Sequence, residues 1–274
     1  MKKIFFILSD IFIGAYLVMA MTSWNEAKPP TPRCNKVTIQ VADENANGFL
    51  TQKEIQRLLK KHNIYPLGQS LTVADPRKIE EELKRMPFVN KAQCSISQDG
   101  HAIIVITQRT PLVRIKNARN EDYYIDDNGG IMPNSQYISN ILIATGNISK
   151  QYATKYVSVI ARYLMQDELW SKEIEQINIT DRLDIELVPR NADHVVNIGR
   201  LPRFNKTISP NKRNEAINKF LKHQLSRLEL FYRYVPQTLN DAAPKDTTDS
   251  INSLYDYINL EYNNQIICQR RTSL

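Results

Sequence analysis

Hydrophobic and polar positions change rhythm several times along this chain of 274 residues. Alternating apolar and polar residues are typical of half-buried strands, whereas apolar residues three or four positions apart are typical of helices. On this basis residues 36–109 contain a strand, two helices and two further strands, at 37–41, 51–62, 76–86, 88–96 and 102–108. This β-α-α-β-β order predicts a small α+β domain over residues 36–109.

A second set of patterns begins at residue 110 and predicts a mixed β-sheet domain with flanking helices over residues 110–274. Two helices are predicted at 152–170 and 212–234, because apolar side chains recur there at helical spacing. The polar residues 237–253 predict a mobile excursion, after which the chain returns to order. Strands are predicted at 112–115, 123–125, 131–133, 138–144, 174–178, 183–188, 195–198 and 255–268.

The first residues predict a membrane anchor followed by a short linker. An almost wholly apolar run covers residues 4–21 and is preceded by Lys2 and Lys3. Its length is marginal for a membrane-spanning helix, which needs about 20 residues, and the basic residues at its start place the amino terminus in the cytoplasm. We expect a cytoplasmic tip and transmembrane anchor at 1–24 and a proline-rich linker at 25–35. A cleaved signal peptide is the alternative.

Charge and cysteine content narrow the possible classes of protein. The net charge is +7, but no run of five basic residues occurs. The sequence therefore does not favour nucleic-acid binding and suits a protein near an anionic membrane surface. The three cysteines form no C-x-x-C motif, which argues against zinc and thioredoxin-like sites. Cys34 and Cys94 could form a disulfide in an oxidising compartment or remain buried free thiols, and the sequence leaves both open.

One motif suggests a calcium loop. Residues 43–54 fit the pattern D-x-N-x-N-G-x5-E. However, a strand precedes this stretch where a calcium loop has a helix, and only Asp43 and Glu54 would be charged ligands. The alternative is a polar turn into a helix, with Thr51 as N-cap and Glu54 completing a capping box. We expect no metal site.

Signs of catalysis are absent from the sequence. An enzyme needs a convergent set of reactive groups, whereas the four histidines, His62, His101, His194 and His223, lie singly in different predicted elements. The motifs G-x-S-x-G and H-E-x-x-H and a glycine-rich phosphate loop do not occur. We therefore expect neither a catalytic residue nor a cofactor.

Two stretches resemble a known family. Residues 76–89 read P-R-K-I-E-E-E-L-K-R-M-P-F-V, and the register of helix end, proline and strand resembles a POTRA domain. Residues 108–133 contain Q-R-T-P-L-V-R-I and then Y-Y-I-D-D-N-G-G-I-M-P, which resembles the start of the second domain in the FtsQ/DivIB bacterial cell-division family. V-V-N-I-G at 195–199, E-L-V-P-R at 186–190 and N-L-E-Y-N-N-Q-I-I-C at 259–268 are similar to Bacteroidetes-type FtsQ.

This resemblance implies a non-enzymatic scaffold of the divisome. It would be a single-pass protein of the bacterial inner membrane, with its bulk in the periplasm at the division septum. The implied partners are FtsB-like and FtsL-like bitopic proteins and the septal peptidoglycan synthase complex. A POTRA-type transport or secretion component is the alternative, although such proteins normally continue into an outer-membrane barrel. A periplasmic calcium-dependent binding module is a further alternative.

The last predicted strand, over residues 255–269, is the candidate binding site. A strand at a sheet edge offers unpaired N–H and C=O groups to which a partner strand can be added. The resemblance implies the same place, because in this family a late strand receives a segment of the FtsB-like partner. The alternative is that the strand only closes the domain. The expected partner-binding residues are Tyr257, Ile258, Leu260, Tyr262, Asn263, Gln265, Ile266 and Cys268.

Overall fold

The computed structural model describes residues 2–23, 31–42, 50–135, 141–205, 207–242 and 254–271. The chain divides into two compact units, which are described separately. Unit 1 comprises Met1–Gln40, Gln52–Leu83 and Ala92–Ile106, and unit 2 comprises Val41–Thr51, Lys84–Lys91 and Thr107–Leu274.

The first sheet has three strands and follows the element order that the sequence predicts. Its strands lie in the order β1-β3-β2. Alternate residues of the central strand are fully buried, as are residues of the two helices at helical spacing. One apolar face per element is therefore enough to specify this small fold. The elements are β1 (Lys36–Ala42), α2 (Gln52–Lys61), α3 (Pro76–Lys84), β2 (Val89–Ile96) and β3 (His101–Gln108).

The second sheet is mixed and has nine strands in the order β12-β11-β10-β9-β8-β7-β4-β5-β6. The pairs β4–β7, β7–β8 and β10–β11 are parallel, and the other neighbours are antiparallel. Its strands are β4 (Pro111–Asn117), β5 (Asp122–Asp126), β6 (Ile131–Pro133), β7 (Leu142–Gly146), β8 (Ile174–Ile179), β9 (Asp184–Pro189), β10 (Val195–Arg200), β11 (Tyr255–Asn259) and β12 (Ile267–Arg270).

The helices of unit 2 share one hydrophobic core with alternate residues of the nine-stranded sheet. Strand residues such as Ile115, Ile177 and Leu187 are fully buried in this cluster, together with Leu221 and Leu228 of the last helix. The intervening strand residues are only partly buried, so the pleat separates a packed face from an open one. The helical segments are α4 (Lys150–Tyr152), a π-helical turn (Ala153–Val157), α5 (Ser158–Gln166), α6 (Trp170–Glu173) and α7 (Pro210–Ala242).

The motif that begins the second predicted domain is held by a buried carboxylate. Asp126 is 3% exposed, and its Oδ2 accepts a hydrogen bond from Arg109 Nε at 2.7 Å. Its Oδ1 accepts from the backbone N–H groups of Asn128 at 3.1 Å and Gly130 at 2.5 Å. A Cβ atom on Gly130 would collide with the Arg109 guanidinium. The predicted turn therefore also holds the side chain of Arg109, and glycine at position 130 allows the guanidinium to come this close.

Helix α7 extends beyond the end that the sequence predicts. The prediction ends the helix at residue 234, but α7 continues to Ala242. The predicted excursion over 237–253 is therefore wrong for residues 237–242, while 243–253 lie outside the described residues. A polar stretch without glycine can prolong an existing helix, because the nucleation cost has already been met. The strand predicted at 138–144 is observed as β7 and ends at Gly146 instead, and its first residues also lie outside the described part.

The single strand predicted over residues 255–268 is instead a hairpin. β11 is parallel to β10, and β12 returns antiparallel to β11. Residues 260–266 connect the two strands. Within this connection the apolar positions 260, 262 and 266 stay in phase with Ile258 and Cys268, and only Asn264 interrupts the alternation. Asn263 and Asn264 are the local signal for the turn, because asparagine favours turns.

The first helix, α1 (Lys2–Ser23), covers the predicted membrane anchor. Its described apolar side chains are exposed, with Phe12 at 78% and Met21 at 77%. Among the residues that the structure describes, no helix is both long and apolar enough to cross a membrane. The predicted transmembrane anchor is therefore not confirmed.

The sequence does not decide whether Cys34 and Cys94 form a disulfide or whether residues 43–54 bind calcium. Cys34, Cys94 and Cys268 are free thiols, and burial with the nearby Glu80 and Cys34 raises the pKa of Cys94 to about 11. Most of the calcium motif, at 43–49, lies outside the described residues. Within the described ranges, no group of three or more His, Cys, Asp or Glu side chains could hold a metal ion.

Candidate functional site

The candidate site is the edge of the nine-stranded sheet formed by β12, together with the β11–β12 loop, residues 260–266. β12 pairs with β11 on one side and has no strand on its other side within the described residues. The opposite edge, β6, has three residues and ends at Pro133. Proline cannot donate to a ladder, so β6 is a poor template for strand addition, and β12 is the more available edge.

The predicted partner-binding residues fall into three environments. Ile258 and Leu260 are fully buried core residues and cannot contact a partner directly. Tyr257 lies in β11, and Ile266 and Cys268 are partly buried against the core. The remaining residues, Tyr262, Asn263 and Gln265, are exposed in the β11–β12 loop. Only part of the predicted set therefore shares an accessible surface.

Arg227 of α7 fixes the loop that begins the edge. Its Nη1 donates to the Leu260 carbonyl at 2.8 Å, and its Nη2 donates to the carbonyls of Tyr262 at 2.7 Å and Gln265 at 2.9 Å. Nη1 also donates to Gln224 Oε1 at 2.8 Å, and Gln224 Nε2 donates to the Ile198 carbonyl at 3.0 Å. The Arg227 guanidinium thus supplies hydrogen-bond donors to the carbonyls of the β11–β12 loop. Through Gln224 it also connects this loop to the sheet.

Arg271 fixes the other end of β12. Its Nε donates to Asp256 Oδ1 at 2.8 Å, and its Nη1 lies 3.4 Å from Asp193 Oδ2. Its backbone N–H donates to the Leu254 carbonyl at 3.0 Å. The four residues of β12 are therefore held between two arginines, which keeps the edge extended before any partner binds.

Exposed apolar side chains lie on and beside this edge. Ile267 on β12 is 47% exposed and Tyr262 in the loop is 49% exposed. Leu230 and Tyr234 are exposed on α7 at 52% and 55%. They follow Arg227 by three and seven residues, so they lie on the helix face that points toward the hairpin. The edge is thus flanked by apolar surface that a partner strand could cover.

Tyr257 belongs to a hydrogen-bonded row on the open face of the sheet. Its hydroxyl donates to Glu186 Oε1 at 3.2 Å, and Asn178 Nδ2 donates to Glu186 Oε2 at 2.7 Å. Burial and the Glu186 carboxylate raise the pKa of Tyr257 to about 12. Tyr257 therefore stays neutral at physiological pH and ties β11 to β9, which is a positioning role for a residue predicted to bind the partner.

Sequence reasoning missed Arg227 and Arg271, which determine the geometry of the edge. Arg227 lies among the apolar residues of α7 and belongs to no motif. Arg271 follows the last strand and resembles any terminal basic residue. Their roles depend on carbonyl and carboxylate groups that the fold brings to them, so the sequence carries no local signal for either.

A buried histidine connects β10 to α7 close to Arg271. His194 is 1% exposed, and its Nε2 lies 2.7 Å from the Tyr232 hydroxyl. Its Nδ1 is buried without a hydrogen-bond partner among the described residues. Burial, reinforced by the Arg271 cation, lowers the pKa of His194 below its ordinary value, and Asp193 opposes this only partly. Protonation of His194 is therefore unfavourable in the folded state.

We expect Arg227→Ala to lower the free energy of unfolding by about 2 kcal/mol, because hydrogen bonds to a charged group contribute about 1.5–3 kcal/mol each and partial exposure reduces this contribution. Urea unfolding monitored by circular dichroism would measure the change. Arg233→Ala, which removes an exposed arginine paired with Glu229 on the same helix, is the control and should change stability by less than about 0.5 kcal/mol. Equal losses in the two variants would contradict the assigned role of Arg227.

Stability should fall as the pH decreases below about 6.5, the unfolded pKa of histidine. The unfolded chain then binds a proton at His194 that the folded chain resists, so the loss can reach about 1.4 kcal/mol per pH unit until the lowered folded pKa is reached. His194→Gln should flatten this slope in urea titrations between pH 7.5 and 5. His223→Gln, at an exposed position on α7, should leave the slope unchanged. An unaltered slope in His194→Gln would refute the assignment.

Comparison with known families agrees with both resemblances drawn from the sequence. A family model described as POTRA-like domain matches residues 32–107, and one described as FtsQ/DivIB, C-terminal related, matches residues 110–228. No curated protein matches the chain. The second match ends within α7, so β11 and β12 lie beyond it. The two matched regions, in this order, support the FtsQ/DivIB family of bacterial cell-division proteins.

Proposed function

We propose that this protein is a non-enzymatic scaffold of the divisome that recruits an FtsB-like partner by strand addition to β12. The observation that carries the proposal is the β12 edge itself, which is accessible, partly apolar and fixed at both ends by Arg227 and Arg271. Through this partner and an FtsL-like protein, the scaffold would be linked to the septal peptidoglycan synthase complex.

Strand addition suits the physical character of this edge. Each new backbone hydrogen bond contributes about 0.5–1.5 kcal/mol net, so the few that a four-residue strand can form give a reversible contact. Alternate side chains of the added strand would provide specificity by packing on the apolar surface of Ile267, Leu230 and Tyr234. Tyr262 would act as an aromatic anchor at the start of the contact. Ile258 and Leu260 would support the edge from the core.

Preorganisation of the β12 edge should favour partner binding. A partner strand loses conformational freedom on binding, and a template that is already extended does not add its own ordering cost. Arg227 and Arg271 supply this preorganisation through backbone carbonyls and carboxylates. They would therefore act as positioning residues, whereas Tyr262, Asn263, Gln265 and the β12 backbone would touch the partner.

The two edges of the sheet offer a matched test. Ile267→Lys places a charge on the proposed binding edge, and Ile131→Lys places one on β6, where Ile131 is 41% exposed. A lysine on an edge strand opposes strand addition. We expect Ile267→Lys to weaken binding of the purified FtsB-like protein from the same organism at least tenfold, as measured by biolayer interferometry, while Ile131→Lys binds normally. Both variants should retain the wild-type melting temperature.

Two results would sink the strand-addition proposal. One is normal binding by a folded Ile267→Lys variant together with normal binding by Tyr262→Ala. The other is equal weakening by Ile267→Lys and Ile131→Lys, which would indicate a general charge effect instead of an edge-specific contact.

We further propose that α1 attaches the protein to the inner membrane in the single-pass orientation, with the bulk in the periplasm. The supporting observations are Lys2 and Lys3 before the apolar run and the exposed apolar side chains of α1. A phosphatase reporter fused after Leu274 should be active, because that enzyme requires the periplasm, and the fusion should resist alkaline carbonate extraction. An inactive reporter would overturn the orientation, and extraction by carbonate would overturn the membrane span.

A further inference from the structure

A cavity of about 380 Å³ opens beside the end of β10, in unit 2. It lies where β8 turns into β9, where β10 ends, and where the chain passes the π-helical turn. Its size is at the small end of ligand pockets, which span about 300–1,000 Å³. None of its residues belongs to β11, β12 or the β11–β12 loop. The lining residues are Tyr152, Tyr156, Arg182, Leu183, Arg200, Leu201, Pro202, Arg203 and Phe204.

Aromatic rings form one wall of this cavity. The Tyr152 and Tyr156 ring centroids are 4.9 Å apart, and the rings of Tyr156 and Phe204 are stacked with centroids 6.0 Å apart. The guanidinium carbon of Arg213 lies 5.7 Å from the Tyr156 ring centroid. A wall of this kind offers an apolar aromatic surface with a positive charge at its border, which suits a ligand that combines an apolar group with an anion.

The cationic groups around the cavity exceed the carboxylates that neutralise them. Arg200 is paired with Asp184 at 2.7 Å and lies 3.8 Å from Glu261. By contrast, the side chains of Arg182 and Arg203 form no ion pair or hydrogen bond within the described residues. Arg213 Nε is buried and has no hydrogen-bond partner among the residues that the structure describes. Two guanidinium groups without a carboxylate partner therefore line the cavity, and their charge favours an anion there.

Two uncommon backbone conformations meet at this cavity. Tyr156 lies in the π-helical turn Ala153–Val157, and such turns inside α-helices are frequent at functional sites. Leu183 has a φ of +64° and is 42% exposed. A leucine in the left-handed region is strained where glycine would not be, and strain of this kind is concentrated at ligand sites. The exposed Leu183 side chain adds apolar surface to the rim of the cavity, which glycine at this position would lack.

We propose that this cavity binds the carboxylate end of a peptide whose last side chain is large and apolar. The carboxylate would pair with Arg182 and Arg203, because a guanidinium presents paired N–H donors that match carboxylate oxygens. The apolar side chain would lie on Tyr156 and Phe204 under Leu183. The small volume favours a chain end over a continuing segment. This site is separate from the proposed strand-addition edge.

The probe is N-acetyl-L-phenylalanine, which carries the carboxylate and the apolar group, and the matched control is N-acetyl-L-phenylalanine amide, which lacks the charge. Each is titrated into the full-length chain with labelled leucine methyl groups, and chemical shifts of Leu183 and Leu201 are followed by NMR. We expect saturable shifts with a Kd of about 1 mM, since a fragment of this size gains only a few kcal/mol. The amide should bind at least tenfold more weakly.

Three variants separate the contributions of charge, aromatic surface and strain. Arg203→Gln should weaken the carboxylate probe at least fivefold and leave the amide unaffected, whereas Arg190→Gln, an exposed arginine outside the cavity, should change neither. Tyr156→Leu should weaken both probes. Leu183→Gly should raise the melting temperature while weakening the carboxylate probe at least threefold, a combination that a purely structural residue would not give.

The outcomes are distinguishable from those of the edge proposal. Ile267→Lys should bind the carboxylate probe normally, so loss of strand addition and loss of this site are independent results. Equal binding of acid and amide, saturable shifts that Arg203→Gln does not reduce, or no saturable shift up to 20-fold above the expected Kd of about 1 mM would each overturn the proposal. If an internal glutamate peptide binds more tightly than the chain end, the site takes side-chain carboxylates and the chain-end assignment is wrong.

Discussion

The β11–β12 loop, which begins the accessible edge of the sheet, is held by one arginine in a helix. Arg227 donates to three backbone carbonyls of the β11–β12 loop and to Gln224, which is itself bonded to the carbonyl of Ile198. Turn carbonyls on an exposed loop would otherwise be satisfied by water, and the loop would sample many conformations. Burial of the Arg227 stem lowers the pKa of its guanidinium, which remains charged because the ordinary value is so high. Because α7 packs on the sheet, Arg227 holds the β11–β12 loop in one position relative to the sheet.

The two edges of this sheet show opposite solutions to the same physical problem. Unpaired N–H and C=O groups invite association with other chains, and β6 limits this through its short length and its terminal Pro133. β12 retains its edge and is flanked by exposed Ile267 and Tyr262. Exposed apolar residues on an edge strand are an aggregation hazard unless a partner covers them. That contrast is the physical ground for proposing that β12 binds the partner.

Sequence periodicity predicted the helices and strands well where an element has one buried face and one solvent-exposed face. The strands of the first sheet and most strands of the second follow from alternation, because the packed face requires apolar residues at every second position. It failed at the final hairpin, where Asn263 and Asn264 turn the chain and the alternation resumes in the same phase at Ile266, and at α7, where polar residues extend the helix. The candidate site was only partly predictable: Tyr262 and Gln265 are exposed, but Ile258 and Leu260 are core, and Arg227 carries no local signal.

Among the residues that the structure describes, one ionic contact joins the cavity to the loop at the edge, and its strength bears on whether the two sites act together. Arg200 Nη2 lies 3.8 Å from Glu261 Oε1, and Glu261 precedes Tyr262 in the loop. Both side chains are substantially exposed, at 53% and 35%, so this pair is screened by water and contributes about 0–1 kcal/mol at most. Useful coupling between two binding sites requires about 1–3 kcal/mol. The remaining links pass through the backbone pairing of β10 with β11. Ligand binding in the cavity should therefore leave the affinity of the edge nearly unchanged, so the two surfaces can hold different partners on one scaffold at the same time.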